Sequence, residues 1–265
     1  MKVLLKNEIR RMWYSKETFC AILLGCGISI WYAAQYIWGI PVYEKGYSFC
    51  PESVFYRWIG AFSFPVQSFL YFLILPLLVV LPGGATYHED RKNQYTVNIY
   101  TRCVKWKYLL AKYLAVFFTG GMVFVLPLIL SLFLSMAHFP MLCPEPITGI
   151  GPSQLGMMHD LYYSHPWSYV LIFLCIDFLF AGGIAGIALA VTPYVEHKLV
   201  VMLIPFILYF SIYCINNMVG EMDYAPNYFL ISGMSGNNIW EYVIGGGVLT
   251  ASFILYFVKG LKDEI

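Results

Sequence analysis

The sequence predicts an all-α integral membrane protein with six transmembrane helices and an amphipathic interfacial helix at its amino terminus, and three observations carry that expectation. Of 265 residues, 60% are hydrophobic and 12% charged, with a mean hydropathy of +0.67, whereas a water-soluble domain carries about 25% charged residues. Six stretches stay apolar for the roughly 20 residues that a helix needs to cross a hydrocarbon core. The basic residues between those stretches fall almost entirely on one side.

The stretches run near Thr18 to Trp38, Gln67 to Gly84, Tyr113 to Ala137, Ser168 to Val191, Leu199 to Met218 and Trp240 to Val258. The second passes through Pro76 and Pro82. Proline inside a span bends it and leaves a carbonyl that neighbouring helices must satisfy, so a packed bundle is expected. Gly25, Gly27, Gly120, Gly121, Gly182, Gly183, Gly186 and the glycines at 245–247 read as points of close helix approach. Ahead of the first span, Leu5, Ile9, Met12 and Trp13 share one helical face and Lys6, Arg10 and Arg11 the other, the pattern of a helix lying in the interface.

Lys and Arg are retained on the cytosolic side of a membrane. With the amino terminus inside, every basic residue except Lys45 and Arg57 is cytosolic, Lys259 and Lys262 included. Six spans with both termini in the cytosol satisfy this; five or seven do not. Trp38, Trp167, Trp240 and Tyr242 mark span ends as interfacial anchors. The expectation is a single transmembrane domain over 1–265, multi-pass in the plasma membrane and surrounded by lipid. It has an interfacial helix at 1–17, a cytosolic loop at 87–112 and extracellular loops at 39–66 and 138–166. A net charge of +1 gives no whole-protein basic surface for nucleic acid.

In the first outer loop, PESVFYRWIGAF is expected to form a short helix begun by Pro51, and the second, with Pro140, Pro144, Pro146 and Pro152, to be irregular. Cys50 and Cys143 are the cysteines that fall on outer loops, where an oxidising space permits a disulfide. A Cys50–Cys143 bond and two free thiols both stand as readings, because spacing alone does not show whether their Cα atoms approach within bridging reach.

Catalytic patterns are absent: there is no HExxH, GxSxG, CxxC or Gly-rich loop ending in Lys and Ser or Thr. The chain is expected not to be an enzyme and to hold no metal. One ionisable residue stands within a span, Asp177 in LIFLCIDFLFAGGIAG. Such a carboxylate is a functional candidate by default, and the bland alternative is a packing element held by a tyrosine or a backbone group.

The loop from Tyr87 to Lys112 opens with Glu89 and Asp90 and carries Trp106, more than retention of positive charge requires, and reads as a handle for a cytosolic partner. Together with KNEIRRMWYSKETF, HEDRKNQYTVNIYTR and the Lys in YLLAKYLAVF, six spans resemble the permease subunits of bacterial type 2 ABC exporters. The resemblance implies the transmembrane permease subunit of an ATP-driven transporter exporting an amphipathic peptide, antibiotic or lipid. It implies pairing with a second permease copy or a related permease. A cytosolic ATP-binding subunit would dock on the loop and hold the ATP and Mg, leaving this chain without a cofactor. Glu89 matches the family's acidic position, Thr96 its Thr and Lys112 its Lys before the third span, with Arg102 and Trp106 completing the coupling surface, although Gln94 and Tyr95 replace the usual Gly before the Thr. Re-entrant helices are implied around Asn227 to Ser235. The alternative is a non-transporting membrane scaffold or immunity protein that binds a partner through its extracellular loops.

Overall fold

The computed structural model describes residues 1–38, 53–62, 64–84, 86, 90, 101, 103–146, 151–152, 156–195, 197–236 and 239–262. Over these the chain is helical, with no β pairing beyond one isolated bridge between Gly156 and Gly236. The helices are α1 (Lys2–Trp13), α2 (Lys16–Tyr36), α3 (Val66–Leu73), α4 (Leu75–Val80), α5 (Lys105–Met136), α6 (His159–Ser164), α7 (Pro166–Val191), α8 (Lys198–Val219), α9 (Pro226–Phe229) and α10 (Ile239–Lys262). Among the described residues α2, α5, α7, α8 and α10 are long and apolar enough to cross a membrane, α7 together with the short turn that follows it. The chain is a multi-pass, all-α membrane protein.

The segment expected as the second span is not one long helix. It breaks at Ile74 into α3 and α4, with Pro76 in the first turn of α4. Proline has no N–H to give the carbonyl four residues earlier, and that carbonyl, of Phe72, takes the Tyr209 hydroxyl of α8 at 2.9 Å. Pro127 lies inside α5, which runs on through it, and deprives the Val123 carbonyl of an N–H donor. There Tyr71 donates to the Phe124 carbonyl and Ser29 to that of Pro127 at 2.9 Å. The broken segment nonetheless runs along α2 and α5: Gln67 donates to Gln35 at the end of α2, Tyr71 stacks on Phe124, and Gly83 lies against Met12 and Val116.

The expected boundary of the first helix also shifts, because Ser15 caps α2. Its hydroxyl accepts from the Thr18 N–H at 3.1 Å, so Lys16 and Glu17 already belong to α2. Leu5, Ile9 and Met12 of α1 do face the bundle. At the other side of the break, α5 starts at Lys105 and shortens the expected cytosolic loop. At 1.5 Å per residue α5 is about 48 Å long, well beyond the roughly 30 Å of a hydrocarbon core.

α5 and α7 form the spine. Lipid tails are as apolar as leucine, so helices in a membrane are held by close packing, which small residues allow. Gly120 admits Ala185, Gly186 admits the Tyr113 ring, and Gly182 lies so close to α5 that a Cβ there would stand 2.6 Å from the Phe117 carbonyl oxygen. Gly25 brings α2 onto Pro127 in the same manner. α8 and α10 both pack on α7 and scarcely on each other.

The two ends of the bundle differ. One, the near end, gathers Arg11, Ser15, Thr86 and Lys198 around a small hollow and ties Lys105 Nζ to the Leu261 carbonyl at 3.2 Å. At the far end the connecting segments interlock. Ser53 Oγ donates to the Leu142 carbonyl at 2.8 Å, Ser232 N–H to that of Gly60 at 2.8 Å, and Tyr169 Oη to that of Ser232 at 2.7 Å. The expected helix after Pro51 is instead a run of turns over the described 53–62, because Phe55, Trp58 and Ile59 are drawn into the bundle end and buried there. The second outer loop, expected to be irregular, contains α6. The stretch implied to be re-entrant is the single turn of α9 followed by turns in which Leu230, Ile231, Ser232 and Ser235 are buried and Met234 is exposed. A Cβ on its Gly233 would lie 2.1 Å from the Ala61 carbonyl oxygen.

Tyr209→Phe removes the donor at the break and is expected to destabilise by about 1 kcal/mol. That reads as a thermal midpoint in detergent lowered by a few degrees, while Tyr213→Phe, on an exposed pair with Asn217, leaves it unchanged.

Candidate functional site

Lys112 lies on the second turn of α5 with apolar neighbours in sequence, and its side chain is fully buried. Its ammonium is held by two carboxylates, Glu8 Oε2 of α1 at 2.8 Å and Asp90 Oδ2 at 2.7 Å. Asp90 accepts in turn from the Tyr108 hydroxyl at 2.9 Å and pairs through Oδ1 with Arg11 of α1 at 2.6 Å. Among the described residues, two cations and two anions thus form a charge-balanced cluster that joins α1, Asp90 of the loop and α5. Tyr108 and Lys112 are one helical turn apart and point the same way.

A buried ion pair adds little against an apolar replacement, but removing one member strands a charge and costs about 3–5 kcal/mol. Burial alone would push the Asp90 carboxyl up; the Lys112 charge and the hydrogen bonds from Arg11 and Lys112 more than reverse this, and it stays ionised below its ordinary range. Its contribution is therefore complete above the unfolded value of about 3.9 and is lost as pH falls through the lower folded value.

Of the coupling residues expected from sequence, Glu89, Thr96 and Arg102 lie outside the described residues. Trp106 is on the first turn of α5, 42% exposed, with Lys107 Nζ 5.6 Å from its ring centre. Trp106 and Lys112 therefore sit on one helix, the first on its surface and the second beneath it. Glu8, Arg11, Asp90 and Tyr108 are outside the expected set. Glu8 had a legible signal: it falls on the apolar face of α1, one turn before Met12, where an acid needs a partner. Beside the cluster, the outer side of α1 bears a shallow hollow lined by Asn7, Arg10, Arg11 and Tyr14.

Asp177 lies about 16 Å along α7, fully buried, and neither carboxylate oxygen has a hydrogen-bond partner among the described residues. Tyr71 and Tyr209 are within electrostatic reach of it, but their hydroxyls are committed to the Phe124 and Phe72 carbonyls. It is remote in sequence and in element from the ion cluster. Cys143 is exposed; Cys50 lies outside the described residues, and the Cys50–Cys143 pairing with it. Among the described residues no cluster of His, Cys, Asp or Glu has the makings of a metal site.

No protein-family model matches the sequence, and a search of curated proteins returns no match.

Lys112→Met should destabilise the protein by about 3–5 kcal/mol, seen as a large drop in thermal midpoint or in yield of folded protein. Between about pH 5 and about pH 3 the midpoint should fall, and in Asp90→Asn, where no charge remains to be lost, fall less. Asp177→Leu, which removes an unpartnered buried polar group, is expected to hold or raise the midpoint.

Proposed function

We propose that this chain is the membrane-spanning subunit of an ATP-driven exporter of the type 2 ABC kind, working with a separate cytosolic ATPase and a second permease copy or a related permease. The buried cluster of Glu8, Arg11, Asp90 and Lys112 carries the reading. A subunit moved by a soluble motor needs its docking surface fastened to its spans, and these ion pairs bind α1 and the loop to α5, a helix of the spine. A push on the loop then shifts α5 as well as the surface.

On this reading α3 and α4 together make the sixth crossing, and the near end faces the cytosol. Positive charge favours that side: among described residues, the basic ones on α1, α2, α5, α8 and α10 lie toward it, and Arg57 is in the far-end turns. α1 lies at the cytosolic interface, its basic outer face toward lipid headgroups. Trp106 offers the ATPase an aromatic surface, Glu89 an acidic one, and Lys112 acts from beneath by holding Asp90. The membrane is the plasma membrane, and the cargo an amphipathic peptide, antibiotic or lipid, in keeping with weakly charged, aromatic spans.

The test is purification of a tagged chain from its native membrane in mild detergent, with identification of bound proteins and an ATPase assay. The expected result is a stoichiometric ATPase subunit, with Trp106→Ala and Glu89→Arg each lowering cargo-stimulated hydrolysis at least about tenfold, as a lost interface anchor does. A folded chain that purifies alone, without ATPase activity, overturns the proposal and favours a scaffold that binds through its far-end loops.

A further inference from the structure

The gap between α8 and α10 is a cavity of about 430 Å³ with α7 as its floor. That volume is in the range of small-molecule sites, about 300–1,000 Å³. Its walls are apolar: Phe180 and Ile184 from α7, Leu208 and Ile212 from α8, Val248 and Leu249 from α10. Tyr209, Asn216 and Tyr224 also line it, and of these Asn216 donates to the Ile212 carbonyl and Tyr209 to that of Phe72; one further lining residue, a carboxylate, does not fit a hydrocarbon guest.

That residue is Glu241, on the first turn of α10. It is 2% exposed, and neither carboxylate oxygen has a hydrogen-bond partner among the described residues. A second acid adds to it. A Cβ placed on Gly236 would stand 3.2 Å from Glu241 Oε1 and 3.4 Å from Asp223 Oδ2, so the two carboxylates converge on one spot. None of the described residues lining the cavity is Lys or Arg. A carboxylate out of water is costly unless paired, and here Asp223, itself exposed and outside the cavity lining, brings a second negative group toward it rather than a cation. What the pair lacks is positive charge, supplied by a proton or by a cation, and the chamber beside it has room for an apolar body.

We propose that the cavity between α7, α8 and α10 binds an amphipathic organic cation, its ammonium group paired with Glu241 and its hydrocarbon or aromatic body lying against Phe180, Ile184 and Val248. Asp223 strengthens the field at the head of the site, and the aromatic face of Phe180 suits either kind of body. The inference is independent of the exporter reading, because it concerns binding alone, and its test reads neither ATP hydrolysis nor transport.

The experiment is calorimetric titration of the full chain in phosphatidylcholine nanodiscs with 4-phenylbutylammonium and with its neutral counterpart 4-phenylbutan-1-ol, with empty nanodiscs subtracted to remove partitioning into lipid. The expected result is at least about tenfold tighter binding of the ammonium compound, the preference abolished in Glu241→Gln and reduced about threefold in Asp223→Asn. Ile244→Trp, placing bulk in the cavity from an exposed position of α10, should weaken both compounds. It serves as the deciding variant if Glu241→Gln does not elute as folded protein. Equal affinity for the two compounds, a preference that survives in Glu241→Gln, ammonium binding indifferent to Ile244→Trp, or no binding to the parent chain overturns the proposal.

Discussion

Holding the ammonium of Lys112 away from water is the constraint around which the near end is organised. A lone buried cation is untenable, so two carboxylates must reach it, and they come from places far apart in the chain, Glu8 and Asp90. Asp90 then needs a second cation to balance the charge and takes Arg11 from the same helix that supplied Glu8. The arrangement therefore fixes both the rotation of α1 about its axis and the position of the chain just after the broken segment. Apolar packing alone, through Leu5, Ile9 and Met12, would hold α1 against the bundle without choosing its register so strictly.

Deeper in the bundle the governing requirement is that backbone groups find partners without solvent. The break at Pro76 meets it with the Tyr209 hydroxyl of α8, and around Pro127 the Phe124 and Pro127 carbonyls take the hydroxyls of Tyr71 and Ser29, so both prolines lie at points of attachment between helices. Glycines supply the other half of the adhesion by letting α2, α5 and α7 approach to backbone contact. Where neither device operates, between α8 and α10, the helices separate and a cavity is left.

Much of this was legible in the sequence, for physical reasons that differ by element. The long helices announce themselves because twenty apolar residues in a row have few other fates, and α2, α5, α7, α8 and α10 begin or end within a few residues of expectation apart from the early start of α5. The early start follows from Lys112: a lysine in YLLAKYLAVF looks like the edge of a span until its counter-ions are known. Pro76 signalled a disturbed span, but that Tyr209 would supply the donor is a tertiary fact, set by how α8 packs on α4. Of the neighbouring acids Glu89 and Asp90, the family resemblance drew attention to the first; the second holds Lys112 in the buried cluster, and Glu89 lies outside the described residues. Trp58 and Ile59 lie in turns at the bundle end, which helix signals within PESVFYRWIGAF do not anticipate. Glu241 is outside the set expected from sequence; its burial depends on the turns just before it, where Gly236 comes back against its carboxylate.

The interlocked far end has a consequence for how the protein opens. Phe55, Trp58, Ile59, Leu230 and Ile231 are all buried there, and the backbone around them is tied across elements: the Ile59 N–H donates to Ser131 Oγ, Ser135 Oγ to the Arg57 carbonyl, Ser232 Oγ to that of Gly60 and Tyr169 Oη to that of Ser232. Segments with buried apolar side chains and paired backbone open only with the elements that hold them. The turns at 57–60 and 230–232 therefore share the cooperative stability of the helices, although they have no regular structure of their own.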